Sequence, residues 1–153
     1  MGKLEGYVEI EGLRVANILR SKQEAEDFNA AVMQAMQLLK EYSPISYGRV
    51  RRYTNKVHNG KTGYLAVFNW PSYICTVDFP WLVREHPDVV ESLAAILVHE
   101  SIHGLLWSKG IQTTVENRND VVLACERMED RFWNWLDNRE LMNRFGENKQ
   151  MIE

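Results

Sequence analysis

The sequence predicts an α+β domain in which a small β-sheet packs on an apolar helix that is followed by a second long helix. Three observations predict it. Apolar residues recur at helical spacing behind residue 21 and again behind residue 88. Short runs of β-branched and aromatic residues, broken by turn residues, fill positions 45–79. The run "ILVHESIHGLL" at 96–106 sets two histidines and a glutamate inside a helical apolar pattern.

The elements follow in order. "GYVEIEG" alternates apolar and acidic residues, a strand or hairpin signal. "SKQE" at 21–24 has the form of a capping box, and Phe28, Val32, Met36 and Leu39 recur behind it at helical spacing. "SPISYG" at 43–48 should stop that helix. "ISYGRVRRY" and "GYLAVFNW" then read as strands around the turn-rich "TNKVHNGKTG", with "YICTVDF" as a third. "HPDVVE" announces a helix start, with Pro87 suited to a first turn and Asp88 and Glu91 to its positive end. That helix should reach Lys109 and close on Gly110 in the left-handed conformation. "TTVE" at 113–116 is a second capping-box candidate and opens a long helix through Trp135; residues 146–153 read as a frayed tail.

With 153 residues, 45% of them hydrophobic and 25% charged, the chain suits a single domain spanning 1–153 with a substantial core. A net charge of −3 argues against nucleic acid, and the one basic cluster, Arg49, Arg51, Arg52 and Lys56, reads as a solvated strand face. No run approaches eighteen consecutive apolar residues and the first twenty lack an apolar signal core, so no membrane partner is expected. Cys75 and Cys125, fifty positions apart in apolar surroundings, read as buried thiols and fit a cytoplasmic location.

The functional signal is His99-Glu100-Ser101-Ile102-His103. Residues four apart share a helix face, so His99 and His103 can aim their rings at one point and form half of a tetrahedral zinc site. Glu100, turned about 100° from His99, is placed to reach water on the metal and not the metal itself. Zinc brings its water towards a pKa of about 7, and the carboxylate can take that proton and later give it to a leaving amine. A shuffled chain of this composition would show the H-E-x-x-H pattern about once in a hundred. Histidines simply satisfied within a core would leave Glu100 beside them unexplained.

A catalytic zinc usually has three protein ligands. "HGLLWSKG" offers no third histidine, which leaves acids on the last helix: Glu116, Asp120, Glu126 and Glu129. Relative to the apolar face of Val121, Cys125, Met128 and Phe132, Glu129 lies about 70° from the centre and Glu126 about 130°. Phase therefore favours Glu129, with Glu126 as the alternative and Asp130 behind it as a histidine partner. Height favours Asp120 if the two helices form a tight hairpin, and Glu129 only if they cross or the second begins later. Cys125 is a softer possible ligand, but its place at the centre of the face points to packing. Tyr53, Tyr64, Tyr73, His58, His86 and Arg139 are available as oxyanion donors, and nothing ranks them.

"LVHESIHGLL", "KGI" at 109–111 and "CERMEDRF" at 125–132 together resemble a group of small bacterial zincin metallopeptidases. The resemblance covers about the last 65 residues. It implies a zincin fold, with a small sheet on the H-E-x-x-H helix whose edge strand holds an extended peptide. It also implies His99 and His103 as zinc ligands, Glu100 as general base and a gluzincin-like downstream glutamate, leaning towards Glu129. The expected activity is zinc-dependent hydrolysis of peptide bonds in a peptide or protein substrate. The rivals are a non-catalytic metal-binding interaction or regulatory module, and hydrolysis of a non-peptide amide. Oligomeric state is not legible.

Overall fold

The computed structural model describes residues 6–18, 21–62, 65–69 and 72–152, with side chains of the last helix described to residue 144. The chain opens with the expected hairpin. β1 (Val8–Ile10) and β2 (Leu13–Asn17) pair antiparallel across Glu11 and Gly12. Both turn residues have positive φ, 51° and 83°, the two-residue geometry that matches strand twist. Ser21 then caps α1 (Lys22–Tyr42), its Oγ accepting from the Glu24 N–H, and Phe28, Val32, Met36 and Leu39 line the buried face. The Glu24 carboxylate accepts from Asn59 Nδ2 at 3.0 Å, which fastens the start of the helix to the sheet.

Residues 44–53 correct the strand expected there, for they form α2 (Pro44–Tyr53). Ser43 closes α1, with its N–H bonded to the Leu39 carbonyl. It also opens α2, its Oγ accepting from the Ser46 N–H, and Pro44 occupies the first turn, where no N–H is needed. The basic cluster therefore lies mainly on a helix, where Arg51 stacks on Tyr47 and Arg52 on Tyr53.

The segment read as a long loop contains β3 (Lys56–Asn59), which is central in the sheet. β4 (Ala66–Asn69) and β5 (Ile74–Val77) follow, so the expected pairing of 45–53 with 63–70 is replaced by an antiparallel β4–β5 pair. Gly63, Tyr64, Trp70 and Pro71 lie outside the described residues. The five-stranded sheet has the order β1-β2-β3-β5-β4, with β2, β3 and β5 parallel and an antiparallel strand at each edge. Register sets Val15, Val57, Cys75 and Phe68 level across four strands, on the face that joins the main core.

Three further helices complete the chain. α3 (Phe79–Glu85), which the sequence pattern did not announce, is capped by Asp78. α4 (Val89–Ser108) follows Pro87, which sits just outside the helix, and ends as expected. Gly110 has φ 77°, its N–H meets the Trp107 carbonyl, and the Ile111 N–H meets Leu106. α5 (Arg118–Ile152) starts later and runs further than expected, through the stretch read as a tail. Thr114 and Asn117 carry the reciprocal capping bonds, one position beyond the expected Thr113–Glu116 pair.

α4 is the core helix, packed against α1, α2, α3, α5 and β4, with residues Ser92 to Val98 all buried. By length and composition it is apolar enough to cross a bilayer, but 56% of that window is buried inside the protein. Gly104 lets the end of α2 press onto it. A Cβ there would stand 2.6 Å from the Tyr53 carbonyl oxygen and 3.2 Å from Phe68 Cζ. Gly104→Ala is therefore expected to cost about 1–3 kcal/mol in urea unfolding, and an unchanged midpoint would show that the contact does not constrain α4.

Candidate metal centre

The site forms where α4 turns its polar stripe towards α5. Its opposite side is committed to the core, so His99 and His103 emerge one turn apart on the side that α5 covers. Their ring centroids are 5.4 Å apart. The late start of α5 resolves the height argument: Val121 and Cys125 pack level with Ile102, and Glu129 reaches His99. Glu129 Oε1 lies 3.6 Å from His99 Nδ1, with both side chains about a quarter to a third exposed.

Among the described residues, the ligand atoms of His99, His103 and Cys125 all lie within 4.8 Å of one another, a group that could hold a metal ion. Donors around a tetrahedral zinc stand about 3.3–3.8 Å apart, given bonds of about 2.0–2.3 Å. Small side-chain rotations would close the group onto an ion. Cys125 is fully buried and packs with Ile102 and Val121, so the packing expected of it is real, and it also faces the imidazoles. Glu126, the alternative acid, is exposed, as are Asp130, Glu116 and Asp120.

Glu100 sits on the sheet side of α4. It lines a cavity of about 170 Å³ with His99, Glu129, Ile96, the edge-strand residue Ala66 and Leu65 just before that strand. A second cleft of about 250 Å³ shares Leu65, Ile96 and Glu129 and continues to His86 and Trp133. No protein-family model, curated protein or solved structure matches the chain.

The oxyanion candidates separate on position. His86 borders the second cleft, whereas His58 pairs with Tyr7 on the sheet and Arg139 forms a two-pronged ion pair with Glu41. Tyr53 lies against Gly104, Tyr73 rests edge-on against Phe68, and Tyr64 is outside the described residues. Sequence reasoning missed the cleft itself, because Leu65 and Ala66 reach it only through the β4–β5 pairing.

Electrostatics in the centre follow from burial among acids. Burial pushes Glu100 up to about 7; the His99 charge pulls it back and Glu129 pushes it further up. Burial alone would lower His99, but the close Glu129 carboxylate and the charges of Glu100 and Glu126 outweigh it and raise its pKa. His103 falls to about 4, through burial and then the charge on His99, so it is a neutral ring at physiological pH, as a metal ligand must be. Burial, reinforced by Glu100, Glu129 and Glu126, pushes the Cys125 thiol up to about 12.

The Glu100 shift has a stability consequence in metal-free protein. The folded state keeps the Glu100 proton to higher pH than the unfolded chain does. The stabilisation is therefore complete below the ordinary glutamate value and is lost as pH rises towards about 7. Metal-free Glu100→Gln, neutral throughout, should be more stable than metal-free wild type at pH 8 by on the order of 2 kcal/mol. The gap should shrink towards pH 5 in chemical-denaturation curves; a gap independent of pH would mean that Glu100 is not ionised against burial.

Proposed function

We propose that the chain is a zincin-like, zinc-dependent metallopeptidase that hydrolyses peptide bonds, with Glu100 as its general base. The observation that carries the reading is the Glu100 carboxylate, held beside a pair of imidazoles in a cleft bounded by an edge strand. A core that needed only packing has no use for an acid there, since burying it opposes its charge. The zincin likeness is supported by the H-E-x-x-H helix lying along a mixed sheet, with β4 at the edge beside it.

In this reading His99 and His103 hold zinc, and α5 supplies the third donor, Glu129 or Cys125. Zinc bound there supplies Lewis acidity, which acidifies water and polarises a carbonyl. Glu100 accepts the proton of the attacking water and delivers it to the departing amine. An extended peptide can lie along β4 and present its carbonyl to the cavity lined by Leu65 and Ala66. Free thiols at Cys75 and Cys125 suit a reducing compartment, and we place the activity in the cytoplasm.

The experiment is a comparison of wild type with Glu100→Gln. Zinc content should stay near one equivalent in both, and cleavage of a peptide library should fall by at least about 100-fold in the variant. Equal cleavage would remove Glu100 from the mechanism. Zinc retention without cleavage by either protein would favour the non-catalytic metal-binding module.

A further inference from the structure

We propose that Cys125 is the third protein ligand of the metal, and that Glu129 acts one step back as a positioning residue that holds the His99 ring. The inference rests on the metal reading above and assigns the donor which that reading leaves between two residues of α5.

Geometry separates the two. Three ligand atoms, one each from His99, His103 and Cys125, lie within 4.8 Å of one another and come from both helices. Glu129 instead stands against one nitrogen of one ring, with Oε1 3.6 Å from His99 Nδ1. The two nitrogens of an imidazole point in divergent directions, so a carboxylate engaging Nδ1 leaves Nε2 free to bind a metal. A carboxylate–histidine–metal relay of this kind fixes the ring's orientation and raises its basicity. Cys125 has the placement a ligand needs. It sits at the inward centre of α5, packed with Ile102 and Val121, which keeps its sulfur on the side of the helix that faces both rings.

Binding balances simply. The Cys125 thiol gives its proton to solvent as sulfur bonds to the divalent cation, and both imidazoles bind as neutral rings. Two nitrogens and one thiolate make a borderline-soft set, which selects zinc or cobalt(II) over magnesium, calcium or manganese. Three protein ligands also leave a fourth position for water or substrate, as catalytic zinc requires. The cavity lined by His99, Glu100 and Ala66 offers that position a way out.

X-ray absorption at the zinc edge tests this on the full chain loaded with one equivalent of zinc. The expected spectrum contains one sulfur at about 2.3 Å beside nitrogens at about 2.0–2.1 Å. Cys125→Ser should lose the sulfur shell. Glu129→Gln should keep it while binding zinc about 10–100-fold more weakly. Cobalt(II) in the wild-type protein should show a thiolate charge-transfer band, a readout that needs no variant to fold. Retained zinc with a nitrogen-and-oxygen shell and no sulfur would overturn the assignment and make Glu129 the ligand, leaving the hydrolase reading intact. A sulfur shell that persists in Cys125→Ser would also overturn it. Failure to bind zinc at all would remove both readings.

Discussion

Burial of α4 against α1, α2 and the sheet constrains the whole molecule. A helix wrapped on most of its circumference has one stripe left for polar groups, and in α4 that stripe holds His99 and His103. Its partner α5 has to cover them, because half-buried imidazoles facing a neighbouring helix need hydrogen bonds or a cation. The site thus belongs to the core packing and is not an addition to the surface. Gly104 shows how tight the arrangement is: it follows His103 directly and leaves no room for a methyl group against Tyr53.

The electrostatic pattern follows from the same packing. Glu100, Glu126 and Glu129 all act on His99, and burial raises Glu100 while it lowers His103. A cluster that sets three acids around one of two half-buried rings, one of those acids itself largely buried, is costly for a bare protein and would be relieved by a divalent cation. The rings therefore differ in role: His99 is tied to Glu129, and His103 is kept neutral. Cys75, the other buried thiol, is raised by burial and then by Glu100.

Features with a local cause could be read from the sequence. Ser21 before an apolar repeat, Gly110 after one, and His99 and His103 four residues apart each act within a single turn, and all three lie where the pattern put them. Features set by tertiary partners could not be read. "ISYGRVRRY" is rich in β-formers, yet Ser43, Pro44 and packing on α1 and α4 make it helical. β3 carries Lys56, His58 and Asn59 on a four-residue strand, too short and polar for alternation to show; its central place depends on pairing with β2 and β5. Phase around α5 picked out Glu129 over Glu126, but the height that brings Glu129 to His99 needed the late start fixed by Thr114 and Asn117. Cys125 was legible as a packed residue, while its approach to both rings depends on how the two helices meet.

The claim beneath this account is that His99 and His103 converge on one cation at the α4–α5 seam. Diffraction from zinc-soaked crystals, collected on both sides of the zinc absorption edge, measures that directly. The account predicts a single strong anomalous peak about 2.0–2.1 Å from a nitrogen of each ring, with a donor of α5 completing the set. A peak elsewhere, or none at saturating zinc, would contradict it.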